Sequence, residues 1–573
     1  MERVDQTSGL RLCNTSRRHH DEREAQVPEG YSLCTQNNKP NKEKIMSRSH
    51  ELKRLGMVLA VLIAFAFVST GTTAEENPAG ETPENEAGRK PSRSEWPQYD
   101  FSKGGFELYQ SEDGSQRLTF GGAVFGRCAY WNWFEGPSHD NEYSYEFQRT
   151  RLHLKYSAAN WTGFIEPQYV TMWDVPDDAF KTPPEGCLGM GGLYYYHNDD
   201  TSPEDIGIHQ AYLLLHPSGN ALQCKLGRLE YSDGLEVLEK SDGQHFNALK
   251  IMRLGDRMIS PFGWSAFGRS FDGGVVQYDN HALNGSAGFF YPTQGGWEED
   301  IDTTIDDISI GTFTLTTKKD AFIPGMEVAG FYYNYQDDRN VNQRVDNQPA
   351  PKPSDRVDID IDMVGGHAVG LYPVGPGQMD VLFWGGYQFG DWYELDQRAV
   401  AFTGEAGYQF TEVYAKPWFR VGYYVGSGDG DPTDGDHETF FQMAPGTRKY
   451  NLLPYCDLMN TEDVFVQLIT YPAKKLMVRA DYHFLRLNEE DDLWYMGSGP
   501  TQESGHVFGY LGRPAYGNDD LSQEFDLLVN YKLNPHFTLL GSYSHIFGDD
   551  VVEGVYTEDN DADYLAVALS FEF

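Results

Sequence analysis

From Phe106 onward the chain is a succession of short segments in which apolar and polar side chains alternate, and the last of them, Tyr564 to Phe573, does so without a break. Leu565, Val567, Leu569, Phe571 and Phe573 fall on one face of that segment and Tyr564, Ala566, Ala568, Ser570 and Glu572 on the other, as the two-residue period of a strand requires. A strand with one wholly apolar face needs a partner for its edge and an apolar medium for its face. The last strand of a soluble sandwich meets the first need, but a closed membrane barrel meets both.

The remaining segments favour the barrel. Strands are expected at 117–134, 145–157, 161–173, 206–216, 221–229, 271–279, 283–291, 307–317, 325–335, 361–372, 379–390, 398–411, 416–428, 462–471, 475–488, 523–533, 536–548 and 562–573, about eighteen in all. Each has roughly the length a tilted strand needs to cross a bilayer, and an even count suits a single-chain bacterial barrel. Turns at 158–160, 217–220 and 533–536 are tight, whereas 174–205, 336–360, 429–461 and 489–522 are long, so one end of the barrel carries the loops. The expected class is therefore all-β, a transmembrane antiparallel up-and-down barrel, its first strand paired with its last. Aromatics at 14% with 60 Gly and 36 Tyr agree with this. The mean hydropathy of −0.55 does not oppose it, because alternating faces average out.

The N-terminal region has a different character. Residues 1–45 are polar and charged, and read as a leader or a misassigned start. From Met46, the basic Arg48, Lys53 and Arg54 precede an apolar run from Leu55 to Val68 and a small-residue site at Thr72-Thr73-Ala74. That is the pattern of a signal peptide over 46–74. Residues 75–105 are rich in Pro, Glu and Gly and have little to bury, which predicts a disordered linker ahead of a barrel over 106–573. Export would place the barrel in the outer membrane of a Gram-negative-type bacterium.

A net charge of −41 excludes nucleic acid as a partner, since such binding needs basic patches. Much of the acid falls in loops. The run Asp429, Asp431, Asp434 and Asp436 has the carboxylate density that Ca2+ favours, without EF-hand spacing or its closing Glu, so a solvated loop is the plainer reading. No other cofactor is indicated. Cys13, Cys34, Cys128, Cys187, Cys224 and Cys456 show no CxxC spacing.

Charged side chains assign the strand faces, because a charge facing lipid near mid-membrane costs about 2–4 kcal/mol. With Leu152, Leu154 and Tyr156 outward, Arg149, Arg151, His153 and Lys155 line the lumen. By the same parity Arg127, Lys225, Arg420, Arg479, Asp481 and His483 point inward. An acidic protein thus carries a basic interior stripe. It selects anions by focusing the field, or it stiffens the wall by pairing with Glu405, Asp481 and Glu524. Selectivity is favoured for Arg149, Arg151 and Lys155. Asp481 and His483 also suggest a barrel-borne hydrolase, but no nucleophile motif or second carboxylate pair accompanies them. A structural or adhesive barrel that conducts nothing is the other alternative.

Several motifs occur in order along the chain. They are Lys225-Leu226-Gly227-Arg228-Leu229-Glu230 with Gly234, Gly268-Arg269-Ser270-Phe271-Asp272-Gly273, Lys416-Pro417 leading to Gly426-Ser427-Gly428-Asp429, and Glu438-Thr439-Phe440. Asp481-Tyr482-His483-Phe484-Leu485-Arg486-Leu487, Asp492-Leu493-Trp494-Tyr495, Gln523-Glu524-Phe525-Asp526-Leu527 and Gly541-Ser542-Tyr543-Ser544-His545 follow. In these the chain resembles the bacterial alginate export porins. The resemblance implies an eighteen-stranded outer-membrane barrel with an arginine-rich lumen, through which an anionic uronate polymer passes without energy input. It adds Arg228, Arg269 and Arg486 as lumen or rim charges, although Arg228 shares the parity of lipid-facing Leu226 unless Gly227 marks a bulge. Between Glu230 and Gly268 the chain departs from the family pattern, and this insertion, with Lys250, Arg253 and Arg257, is either a surface loop or an inward plug. Lipid, an anionic polysaccharide or small anions, the barrel assembly machinery that reads a terminal aromatic such as Phe573, and a periplasmic secretion complex are the partners expected.

Overall fold

The computed structural model describes residues 105–137, 141–217, 221–239, 244–349, 352–446, 449–503 and 508–573. The leader, the signal peptide and nearly all of the expected linker lie outside them. Eighteen antiparallel strands form the wall. In chain order they are β1 (Arg117–Asn132), β2 (Glu142–Ser157), β3 (Trp161–Trp173), β4 (Glu204–Leu215), β5 (Leu222–Leu229), β6 (Phe271–Asp279), β7 (Leu283–Pro292), β8 (Ile308–Thr317) and β9 (Met326–Asp337). Then come β10 (Ile359–Val374), β11 (Gly377–Trp392), β12 (Leu395–Phe410), β13 (Trp418–Gly426), β14 (Thr461–Ala473), β15 (Leu476–Leu487), β16 (Asp520–Lys532), β17 (Phe537–Gly548) and β18 (Asp561–Glu572).

Each strand pairs with the next, and β18 returns to β1 with Glu572 opposite Ala123 and Asp563 opposite Asn132. Closure leaves no free edge. β18 covers only part of β1, and the short strand Phe106–Gln110 pairs with the remainder, Phe120 to Arg117. Where the two meet, Phe573 and Gly122 exchange backbone hydrogen bonds of 3.1 and 3.0 Å, and the Phe573 ring packs near Phe106, Phe120 and Phe571.

Alternation decides what faces out. Leu152, Leu154, Phe313, Leu315, Phe383, Val464, Val466, Leu565 and Val567 are all exposed, and an apolar band recurring around a closed sheet is a lipid-facing surface. Their neighbours in sequence, such as Arg151, His153, Thr314, Ala566 and Ala568, are buried against the interior. Among the described residues no helix is long and apolar enough to cross a membrane.

At one end the strands are joined by short turns. At the other the connections are long, with the exception of the two-residue turn Tyr393-Glu394 between β11 and β12. Three of the long connections, 230–270, 427–460 and 488–519, carry residues with no solvent exposure, among them Arg257, Phe440 and Trp494. An aromatic cluster of Trp133, Phe134, Trp494 and Tyr556, with ring centroids 4.9 to 6.4 Å apart, ties the last of these to the 133–141 and 549–560 connections.

Candidate functional site

The 230–270 connection folds inward. It contains a short α-helix (Gln244–Leu249) continued by a π-helical turn (Lys250–Leu254) whose five residues are all buried. The carboxylate of Asp233 accepts the N–H groups of Met258 and Ile259 at 3.1 and 2.9 Å and so reverses the chain after that turn. A parallel bridge, Ile259 to Ala444, then joins it to the 427–460 loop. Burial pushes the Asp233 carboxyl up to about 7, with Asp256 and Glu236 adding to the effect against the hydrogen bonds it accepts.

Two opposite kinds of contact hold this strap. Toward β9–β13 the contacts are ionic: Lys250 Nζ lies 2.5 Å from Glu327 Oε1, and Arg253 Nε donates to Glu405 Oε2 at 3.0 Å. Arg420 bridges the same Glu405 (2.9 Å) and Asp380 (3.1 Å), to which Trp418 Nε1 also donates at 2.7 Å. Buried charges of this kind survive only as hydrogen-bonded pairs.

Toward β1–β3 the wall grips the strap by its backbone. Arg149 donates to the carbonyls of Gly263 (2.9 Å) and Ser265 (3.0 Å), Arg127 to that of Trp264 (3.1 Å), and Gln168 to that of Phe267 (2.7 Å). Arg151 binds Gln168 at 2.5 Å and Glu230 at 3.2 Å. Glu230 also meets His209 at 2.9 Å. Burial alone would raise the Glu230 carboxyl, but His209 and Arg151 outweigh it and hold the group down to about 2.

The sequence-derived site residues therefore divide. Arg127, Arg149, Arg151, His153, Lys155, Lys225, Arg420 and Arg479 lie on the inward parity of their strands, and Arg269 is buried where the strap rejoins the wall. Lys225 sits 4.0 Å over the Tyr212 ring, and His153 stacks on Phe164 with one nitrogen 3.7 Å from Glu166. The ladder Arg127, Arg149 and Arg151 contacts the strap, through its backbone carbonyls and Glu230, rather than the lumen acids Glu405, Asp481 and Glu524 expected to stiffen the wall.

Two residues are not in the lumen. Arg228 stays on the outward parity of Leu226, because β5 pairs with β4 and β6 without a register shift, and its guanidinium reaches Asp272 (2.7 Å) and Asp302 (3.1 Å). Gly227 has φ +122°, yet it makes no bulge. Arg486 is exposed, on the parity of Phe484, and pairs with Asp519 and Asp520 beyond the strand end. Asp481 and His483 are buried in the wall rather than placed at a rim.

In the acidic loop, Asp429, Asp431 and Asp434 each accept the N–H two residues ahead, at 3.2, 3.1 and 2.9 Å, and Asp436 pairs with Arg398 at 2.7 Å. Asp429 is nearly buried beside Asp492. Burial pushes its carboxyl up to about 7, the Asp431 N–H opposes that, and the negative charge of Asp492 reinforces it.

The most distinctive chemistry belongs to Arg253 and Arg257, which the expected site did not include, together with Arg269, which it did. Arg253 lies 4.1 Å from the Phe465 ring centroid and 4.5 Å from that of Tyr450, and Arg257 lies 4.7 Å from that of Trp384. Both are fully buried, and Arg269 is 1% exposed. Arg253 Nη1 and Nη2, Arg257 Nε and Nη1, and Arg269 Nε and Nη1 have no hydrogen-bond partner among the described residues. The available signal was the basic spacing of Lys250, Arg253 and Arg257 within the insertion; Lys250 and Arg253 lie on the π-helical turn and Arg257 just beyond its end at Leu254.

A model of the alginate export family matches residues 188–563, more than half of the chain. Among solved structures the chain is similar to Pseudomonas aeruginosa OccK5 (OpdH), at 11% identity and a TM-score of 0.46, over 79% of this chain and 98% of that one. It is similar also to Pseudomonas aeruginosa OccD3 (OpdP), at 12% and 0.47 over 82% and 94%. With Acinetobacter baumannii OccAB1 the values are 11% and 0.47 over 83% and 99%. No curated protein matches its sequence.

Proposed function

The chain belongs to the alginate export family of outer-membrane porins, and from that premise we propose that its lumen passes anions without energy input, either an acidic saccharide of the polyuronate class or small anions. The observation that carries this reading is the surplus of donors on the strap: six guanidinium nitrogens of Arg253, Arg257 and Arg269 are buried without an acceptor. A buried donor without a partner costs about 1–3 kcal/mol. Carboxylates and hydroxyls of a uronate supply such acceptors. Positive charge held in a low-dielectric passage attracts anions and repels cations.

The segment from Leu55 to Val68 fits an export signal that delivers the chain to the outer membrane. A second reading, a barrel that conducts nothing, is favoured by one observation, the zero exposure of strap and loop residues such as Arg257 and Phe440. Single-channel recording under a salt gradient separates the two. The anion reading requires openings with anion preference that added oligouronates block.

A further inference from the structure

On neighbouring strands β14–β16, acids face acids. Asp481 on β15 and Asp526 on β16 are direct register partners, and Glu524 is opposite His483. All four are buried, as is Asp463 on β14. Like charges directly opposite on neighbouring strands destabilise a sheet, and buried carboxylates persist only when paired or coordinating a metal.

Arg479 pairs with Asp481 and His483 with Asp463, and among the described residues no ion pair reaches Glu524 or Asp526.

His483 supplies an independent sign. Its Nδ1 lies 3.0 and 3.1 Å from the two oxygens of Asp463, which orients the ring, while its Nε2 is buried with no hydrogen-bond partner among the described residues. A carboxylate behind one ring nitrogen and an unsatisfied second nitrogen is the arrangement by which metal-binding histidines are set. One donor atom from each of Asp481, His483 and Asp526 lies within 4.8 Å of the other two. The Asp526 oxygens are in turn held by the Ser544 hydroxyl and by the Leu452 N–H at 2.6 Å.

We propose that Asp481, His483 and Asp526 form a divalent-cation site in the lumen wall. The imidazole favours a borderline metal such as Zn2+ over Ca2+ or Mg2+, while the two carboxylates also admit Mn2+, which serves as a paramagnetic probe. Leu452 binds Asp526, and Arg479 donates to the Tyr450 carbonyl at 3.2 Å. A bound cation therefore braces the 449–456 stretch, whose Tyr450 ring lies beside Arg253. The site stands whether or not the lumen passes anions.

The test uses the full barrel in detergent, stripped with EDTA and titrated with Mn2+ while free Mn2+ is followed by electron paramagnetic resonance. One equivalent should bind and be displaced by Zn2+. His483→Gln and Asp526→Asn, checked as folded by heat-modifiable migration, should each weaken binding about 10–100-fold. Should either variant not fold, anomalous scattering at the Mn edge from Mn2+-soaked wild-type crystals decides, with a peak expected between the three side chains. Absence of binding by the wild type, unchanged affinity in folded variants, or a peak elsewhere overturns the assignment.

Discussion

Arg149, on the wall, donates to the carbonyl of Gly263, on the strap, at 2.9 Å, with a second bond from the same guanidinium to Ser265 at 3.0 Å. One side chain thus holds two carbonyls of a single turn, 262–265, of the inward segment, a geometry that the planar fork of arginine permits and lysine does not. Arg149→Lys and Arg149→Ala are expected to loosen the strap and raise single-channel conductance, alanine more than lysine. Unchanged conductance in both would remove Arg149 from the clamp.

Lys250 and Glu327 are paired at 2.5 Å with side-chain exposures of 1% and 0%. Lys250→Met leaves the buried Glu327 carboxylate with only His367, at 3.2 Å, beside it and is expected to destabilise the barrel by about 3–5 kcal/mol. Lys250→Met combined with Glu327→Gln should recover most of that loss. Urea-dependent unfolding followed by tryptophan fluorescence reads both.

Gly227 sits at φ +122°, and a Cβ there would lie within 2.3 Å of the Ala211 carbonyl oxygen. Gly227→Ala is expected to cost about 1–3 kcal/mol from strain, and to move the β4–β5 backbone apart. The same unfolding measurement, with Gly285→Ala as a control at an open position of β7, checks it.

Removing Phe573 deletes its exchange of hydrogen bonds with Gly122 and its ring contacts to Phe106 and Phe120 at the seam. The yield of heat-modifiable barrel from refolding into liposomes should fall, and Phe573→Tyr should restore it.

Asp429 makes the long-loop end sensitive to pH. Its folded carboxyl is raised from 3.8 to about 7, chiefly by burial and then by Asp492. The folded state therefore holds a proton that the unfolded chain releases between those values, and loop stability falls as pH rises across that window. Amide exchange in residues 427–446, corrected for intrinsic rates, should quicken from pH 5 to pH 8, and Asp429→Asn should flatten the dependence.

Eighteen strands and their faces were legible in the sequence because the period of two is strictly kept wherever one side meets lipid. Leu152 and Leu154 against Arg151 and His153 illustrate it. The strap was not legible. Its inward course depends on long-range contacts such as Asp233 to Ile259 and Arg149 to Gly263, which no local pattern encodes. For the same reason the ladder arginines were recognised as lumenal while their engagement with the strap was hidden. Arg486, expected at the lumen or rim, lies on the outward parity of Phe484 at the loop end of β15. Asp526 was seen only as part of a motif, because its role arises across strands, opposite Asp481.

The most direct test of an anion-passing lumen is the reversal potential of single channels in planar bilayers under a tenfold KCl gradient, for the wild type and for Arg253→Gln with Arg257→Gln. The wild type is expected to show an anion-selective potential that shifts toward cations in the double variant. A cation-selective wild type, or a bilayer that never conducts, would contradict the proposal.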